Sequence, residues 1–531
     1  MPTDGDTTCS SAAGARADEP ASPTVAEHPA DHSADRAADH PGTDKLAARV
    51  ARQIEHDVLR TGWPVGQVLG SETELRERYQ VSRAVLREAI RLVEHHQVAA
   101  MRRGPAGGLV VRAPDPGAAT SAMVVYLEFA GTSIEHLMAA RQMIEPLAAG
   151  LAAEHITEAG IGTLRTALVD ELSAGPSRDC HIRTALHLTL AELSGNPALH
   201  LFVDVLLRLT WRYARDQLTH LPEDPSHPAL TSSDVSHEAM VDAVVAGDRS
   251  RAQHLATQHL AMLGEFLINW RPETRNLPSW LWAAHSHERT NDHKLAEVVA
   301  QRLLTEITGD GWEVGSTIGS ETELLERFGV SRAVLREAVR LLEYHSVARM
   351  RRGPGGGLVV TAPAPDASIE AITLYLDYQN IGSAHLRAVH EAVLMACLDA
   401  VADRVDDPEV IRRLSALRDR PDSTVPGEPA DLLHAELAEL SGNPVLGLFL
   451  RILLSLRTRR NESARAAAAV GHTPAPRPPA EEEPHFQMPE AIVTALLSGD
   501  SNLARHRMRR YLDQHDPAPR TGQPAPSQQV L

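Results

Sequence analysis

Cysteine is scarce: Cys9, Cys180 and Cys397 are the only three in 531 residues. They lie far apart and form no CxxC pair, which excludes a disulfide scaffold and a cysteine-only zinc site. Aromatic residues make up only 4% of the chain, so its cores must be built from Leu, Ala and Val, a composition that favours helices over sheets. No apolar run approaches the roughly 18 residues of a membrane span, and the acidic, polar N-terminus carries no apolar signal core. A soluble cytoplasmic protein is expected. Basic residues are outnumbered, with 52 Lys and Arg against 70 Asp and Glu and a net charge of −18. That excludes non-specific nucleic-acid binding by the whole surface, though not by a local basic patch.

What the chain does have is a long internal repeat. Residues 71–114 (SETELRERYQVSRAVLREAIRLVEHHQVAAMRRGPAGGLVVRAP) and 320–363 (SETELLERFGVSRAVLREAVRLLEYHSVARMRRGPGGGLVVTAP) match at 34 of 44 positions at a fixed offset of 249. A second echo, LAELSGNP, occurs at 190–197 and again at 437–444. The period is too long for a solenoid and signals a duplicated pair of domains.

The first part of each copy reads as a winged helix-turn-helix. Leu46, Val50, Ile54, Val58 and Leu59 recur at helical spacing over Asp44–Arg60. Ser71 with Glu74 forms a capping-box pattern opening a short helix, Glu72–Tyr79. Ser82 opens the next, Arg83 to about His95, with Leu86, Ala89, Ile90 and Val93 as its core stripe. Val98–Met101 and Gly107–Val111 read as strands around a turn, forming a wing. The second copy repeats each element: helix Asp292–Thr308, caps Ser320 and Ser331, and wing Val347–Val360.

Local charge supports a DNA face. Residues 71–112 hold eight Arg against five Glu, and residues 320–361 seven Arg against five Glu. Arg83 and Arg87, like Arg332 and Arg336, lie one turn apart at the start of the expected recognition helix, where Arg donates to guanine edges. Arg102, Arg103, Arg351 and Arg352 sit at the wing tips, placed for phosphate or the minor groove. The helix N-termini at Ser82 and Ser331 offer backbone N–H groups to phosphate. Arg91 has acidic partners in Glu88 and Glu94, three residues to either side, whereas Arg83 and Arg87 have none three or four residues away. The competing readings are a winged-helix protein-interaction scaffold without specific DNA readout and a metal-dependent enzyme. Against the latter, no nucleophile motif, phosphate loop or HExxH is present.

The run from Asp44 to Pro114 resembles the GntR-type winged helix, and 292–363 resembles it equally. Ser71-Glu72, Val81-Ser82-Arg83 and Arg87-Glu88-Ala89 carry the match; a family arginine in the second helix falls on Thr73 and Thr322. The second part of each copy shows helical periods: Ile134–Ala153, His155–Leu172, Asp179–Leu193, Pro197–Arg215, Ser236–Ala246 and Asp248–Leu267, then 368–380, 383–404, 407–418, 430–441, 444–466, 487–498 and 500–514. This part resembles the FadR C-terminal, or FCD, ligand-binding domain. Arg141 with Glu145, the LAELSGNP run and the last two helices carry the likeness, with Arg387 and Glu391 as the matching pair in the second copy.

The resemblance implies a mainly α chain in which winged helix-turn-helix domains alternate with antiparallel helical bundles. The expected division is a disordered tail (1–42), a DNA-binding domain (43–114), a ligand-binding domain (120–270), a linker (271–290) containing Trp280 and Trp282, a second DNA-binding domain (291–363), a second ligand-binding domain (367–515) and a disordered tail (516–531). Many family members hold a divalent metal on one Asp and three His, and the metal helps hold a carboxylate effector. The three histidines here are His187, His237 and His259, a set suited to zinc or a similar ion. Arg183 stands where the family has its Asp, and is placed to clamp an effector's negative charge; Asp179 lies a further turn away. In the second copy His434 remains, but the other positions hold Ala430, Pro489 and Tyr511, and no metal is expected there. The whole implies a transcriptional repressor, not an enzyme. It would act as a covalent pseudo-dimer on palindrome-like operator DNA, under control of a small carboxylate effector, and no membrane partner is expected. Further homodimerisation is compatible with this reading.

Overall fold

The computed structural model describes residues 41–102, 104, 107–174, 180–218, 228–269, 291–309, 311–351, 353, 356–363, 365–419, 428–469 and 488–515. The linker 271–290 with its two tryptophans, the tail 516–531, Asp179, Arg103 and Arg352 lie outside the described residues, as does the first tail up to residue 40 and the side chain of Arg183.

The chain opens with α1 (Pro41–Arg60), β1 (Val68–Gly70), α2 (Glu72–Tyr79), α3 (Arg83–His95), β2 (Ala99–Arg102) and β3 (Gly108–Val111). Ser71 closes a full capping box: its Oγ accepts from the Glu74 amide at 3.3 Å, and the Glu74 carboxylate accepts from the Ser71 amide at 2.7 Å. The Ser82 hydroxyl accepts from the Val85 amide and starts α3. Val85, Leu86, Ala89, Ile90 and Val93 are buried against Ala47, Val50, Ala51, Ile54 and Val58 of α1. That apolar stripe turns the arginines of α3 to the opposite face. The strands form an antiparallel sheet in the order β1-β3-β2. β1 was not foreseen, because three residues are too few to show alternation. Gly108 is required where β3 meets β1: its φ is +149° and a Cβ there would come within 2.6 Å of the Gly70 carbonyl oxygen.

A helical bundle follows: α4 (Pro116–Phe129), α5 (Ile134–His155), α6 (Glu158–Ala174), α7 (Cys180–Leu193), α8 (Pro197–Leu218), α9 (Pro228–Val245) and α10 (Arg249–Asn269). α4 is the one helix of this bundle that the sequence patterning did not single out. α5 is central, packing on α7, α8, α9 and α10. The SGNP turn has a physical role: Asn196 Oδ1 accepts from the Ala198 amide at 3.1 Å and so caps α8.

The second copy repeats the order: α11 (Asn291–Gly309), β4 (Thr317–Gly319), α12 (Glu321–Phe328), α13 (Arg332–Tyr344), β5 (Ala348–Arg351), β6 (Gly357–Val360), then α14 (Pro365–Tyr378), α15 (Ser383–Ala402), α16 (Pro408–Arg418), α17 (Glu428–Leu440), α18 (Pro444–Ala469), α19 (Met488–Leu497) and α20 (Ser501–His515). Among the described residues no helix is long and apolar enough to cross a membrane.

The copies meet through reciprocal contacts. Asn196 Nδ2 donates to the His385 carbonyl and Asn443 Nδ2 to the His136 carbonyl, each at 3.0 Å. Phe202 of α8 stacks on Phe449 of α18 with ring centroids 3.9 Å apart, and both side chains are fully buried. The winged helices are crossed. Trp63 of the first lies edge-on to Tyr378 at the end of α14 (5.3 Å), and Trp312 of the second to Phe129 at the end of α4 (5.4 Å). Each winged helix thus leans on the linking helix of the other copy, and α4 packs on α14 between them. Trp63 and Trp312 hold φ of 54° and 55°, a conformation costly for a bulky side chain, by roughly 1–3 kcal/mol. It is held by indole N–H bonds to the Arg112 and Thr361 carbonyls and by the aromatic contacts across copies. The first winged helix has an additional tie: Arg459 of α18 lies 3.7 Å from buried Glu55, which also contacts His96 at 2.6 Å. Leu304 stands in the place of Glu55 in the second copy.

Candidate functional site

Two groups of residues are brought together. The first is the arginine face of α3 and α13. Arg83 and Arg87 are 62% and 58% exposed and Arg336 is 74% exposed, so this face is open to a partner. Arg332, Ser82 and Ser331 are exposed as well. No acid lies three or four residues from Arg83 or Arg87, but the tertiary structure supplies one from further away. Glu72 at the start of α2 reaches across the turn to both, at 2.8 Å from Arg83 Nε and 3.1 Å from Arg87 Nε. The hydrogen bond from Arg83, opposed by a little burial, holds the Glu72 carboxyl below its ordinary range. A scan limited to one helix could not find this pair, because its members are 11 and 15 residues apart. Arg91 does pair with Glu88 at 2.9 Å. On α13 the corresponding ties are looser, with Arg336 3.9 Å from Glu321 and Arg340 3.1 Å from Glu337. At the wings, β2 ends on Arg102 and β5 on Arg351, both exposed.

The second group is a buried histidine cluster in the first bundle. His187 on α7, His237 on α9 and His259 on α10 are all buried, and one ligand nitrogen from each lies within 4.8 Å of the others. Two carboxylates orient them. Glu145 on α5 lies 2.7 Å from His187 Nδ1, and Glu171 on α6 lies 3.0 Å from His237 Nδ1. Each contact engages Nδ1 and leaves Nε2 for the centre, where His237 Nε2 stands 3.3 Å from His259 Nε2. Burial pushes His237 below the usual histidine range, and burial with the neighbouring imidazoles pushes His259 well below it. Neutral imidazoles are the form that binds a metal. Burial works to raise Glu145, but Arg141 and His187 beside it hold it far below the carboxylate range. The cluster borders a small pocket lined also by Ala148, Leu190, Met240 and Leu260. Glu171 was not foreseen as a histidine partner. It lies 66 residues from His237 in a helix that shows no motif.

The second bundle has diverged. The reciprocal bonds to the His136 and His385 carbonyls fix the register between α5 and α15 at 249 residues. His390 therefore takes the place of Arg141, and Leu394 that of Glu145. The matching of Arg387 with Glu391 to that pair is corrected: Arg387 ion-pairs with Asp513 of α20 at 2.6 Å. Tyr511 does lie beside His434, with ring centroids 6.0 Å apart.

Comparison with known proteins agrees with this architecture. Residues 46–107 and 295–358 match the family described as bacterial regulatory proteins, gntR family, and residues 136–262 match the FCD domain. The chain is similar to the regulator RmpR of Mycobacterium gastri, 28% identical over 222 residues, covering 41% of this chain and 78% of that protein. It is similar to the Uxu operon regulator of Haemophilus influenzae (24% over 225 residues, 41% and 80%). It is also similar to the HTH-type transcriptional repressor NanR of Escherichia coli strain K12 (27% over 225 residues, 41% and 82%). A solved structure, Streptococcus agalactiae GntR, aligns with a TM-score of 0.30 at 19% identity, covering 41% of this chain and 99% of that one. These families and relatives are regulators rather than enzymes. Two gntR-type winged-helix modules, at 46–107 and 295–358, and an FCD domain at 136–262 thus stand in one polypeptide, a duplicated arrangement of the parts found in DNA-binding regulators of the gntR family.

Proposed function

We propose that the chain is a repressor that grips a palindrome-like operator as a covalent pseudo-dimer and releases it in response to a small carboxylate effector. The observation that carries this reading is the pair of exposed arginine faces, one on α3 and one on α13, with the same Arg-Ala-Val-Leu-Arg sequence. Identical reading residues call for similar half-sites. One polypeptide holding both readers raises the effective concentration of the second once the first has bound. Arg83, Arg87, Arg332 and Arg336 are assigned to base edges, and Arg102, Arg103, Arg351 and Arg352 with the helix N-termini at Ser82 and Ser331 to the backbone or minor groove. The DNA-reading units are residues 43–114 and 291–363, and the helical units 120–270 and 367–515. Selection of bound duplexes from a random pool tests the proposal. It should return two similar half-sites at one fixed spacing; recovery of single half-sites, or of no common sequence, refutes it.

His187, His237 and His259 would hold one divalent metal in the first helical unit, with Glu145 and Glu171 orienting two of the rings. When bound, such an ion supplies a positive centre for an effector carboxylate. Arg183, one turn before His187, is assigned to the same anion. Substituting His259 with alanine should remove the metal-dependent rise in melting temperature. With zinc at about 100 times its dissociation constant, that rise corresponds to roughly 2.7 kcal/mol in the parent. Equal melting shifts in variant and parent would dismiss the site.

A further inference from the structure

The two readers share Arg-Ala-Val-Leu-Arg at the start of the recognition helix, but the residues around that run differ in charge. Glu72 on α2 reaches both Arg83 and Arg87 of α3, so the face of α2 that carries Glu72 borders the reading face. Arg76 follows Glu72 by one turn and stands on that same face. It is exposed and makes no ion pair among the described residues. In a docked helix-turn-helix the helix before the recognition helix crosses the phosphate backbone. A guanidinium on this face is placed to donate to a phosphate there.

The second reader has no such group. At the offset of 249, Leu325 replaces Arg76, half-buried and packed on the core. The remaining arginine of α12, Arg327, is held by Glu306 of α11, with Nη1 and Nη2 at 3.0 and 2.9 Å from the two carboxylate oxygens. The wing shows the reverse. On β5, Ala348 is buried and Met350 half-buried, whereas Arg349 and Arg351 are exposed. Successive side chains of a strand alternate between its faces, so these two arginines share the outer face of the wing. Arg349 makes no ion pair among the described residues. On β2 the matching residues are Ala100 and Arg102, so this strand face presents one arginine in the first reader and two in the second. Each reader thus has a cation that the other lacks, one on the helix before the recognition helix and the other on the wing after it.

We infer that the two readers grip the phosphate backbone unequally: the first takes an extra phosphate through Arg76 on α2, and the second takes one through Arg349 on the wing. The bases read in the two half-sites are then alike while the backbone contacts beside them are not, and the grip on a symmetric operator is itself asymmetric. This inference rests on the reading of α3 and α13 as the helices that enter the grooves.

The test measures the salt dependence of binding by the full chain, on the selected operator and on a scrambled duplex of the same length, because phosphate contacts persist without matching bases. Arg76→Leu installs the residue of the second reader and Arg349→Ala that of the first. Each should lower the slope of log affinity against log salt by about one on both duplexes. Arg412→Ala on α16 removes an exposed arginine from the second helical bundle and should leave the slope unchanged. An unchanged melting temperature confirms that each variant is folded. Phosphate-ethylation interference on the operator then locates the contacts: Arg76→Leu should erase signals in one half-site only, and Arg349→Ala in the other. Unchanged slopes, or signals lost by both variants from the same half-site, overturn the inference. If selection returns no common sequence, the operator reading fails by itself, and the slopes on the scrambled duplex still decide for or against the two phosphate contacts.

Discussion

Replacing Arg83 and Arg332 together with alanine should lower affinity for the selected operator by about 2–6 kcal/mol, roughly 30-fold to 10⁴-fold, from two base contacts at about 1–3 kcal/mol each. Either substitution alone should remove about half of that free energy and relax preference at one half-site only. The expected effect is confined to DNA. Arg83 is largely exposed and Arg332 is exposed, so the melting temperature should stay within the range of ordinary surface substitutions, about 0.5 kcal/mol. Glu72 refines the expectation. It holds both Arg83 and Arg87 in the free chain, and DNA must compete with it for the guanidinium groups. Exposed ion pairs are weak, about 0–1 kcal/mol, so this competition tempers affinity without preventing binding. The second reader carries a looser clamp, at 3.9 Å, and loses less on engaging its half-site. Affinity measured at several salt concentrations separates loss of a base contact from loss of charge. A double variant that binds the operator as tightly as the parent would remove Arg83 and Arg332 from the interface.

Phe202→Ala should be the most damaging single substitution for stability, at about 3–5 kcal/mol. The side chain is fully buried and stacks on Phe449 at 3.9 Å with only 4° between ring planes. Truncation leaves a cavity at the junction of the two copies, where Asn196 and Asn443 also bond across. A clear fall in the urea midpoint of helical unfolding is expected, and Phe202→Leu should retain most of the stability because it keeps most of the buried volume. The consequence for DNA differs from that of the arginine variants. Each reader should still recognise its half-site, while the preference for one spacing between half-sites broadens, because the contact between α8 and α18 no longer fixes the bundles. An unchanged midpoint for Phe202→Ala would show that the junction is not a shared core.

The crossed packing of the winged helices bears on how a ligand signal travels. Trp63 rests on Tyr378 and Trp312 on Phe129, so the first reader is braced by the second helical copy and the second reader by the first. A shift of α4 is therefore felt by both readers, by the first through the Asp115–Gln97 bond at its N-cap and by the second through the contact of Phe129 with Trp312. Arg459 and Glu55 add a tie between the first reader and the second helical copy, and Leu304 stands in place of Glu55 in the second reader. The two readers share their recognition sequence but not their tethering.

Whereas the three histidines of the first bundle came only from the resemblance to the FCD domain, length, composition and the 249-residue repeat determined the duplicated, mainly helical organisation, the capping serines and the recognition helices. Those features are legible because they depend on local periodicity, or on a motif repeated with few changes. Only the tertiary structure decided which groups meet across the chain. The Glu72 clamp, the Glu171 partner of His237, the crossing of the tryptophans and the burial of His390 against His434 all depend on side chains distant in sequence. Their energies come from contact and burial, which no linear pattern encodes. The register between α5 and α15 shows the same limit: spacing within the sequence suggested Arg387 and Glu391, and the bonds between bundles set His390 and Leu394 in those places instead.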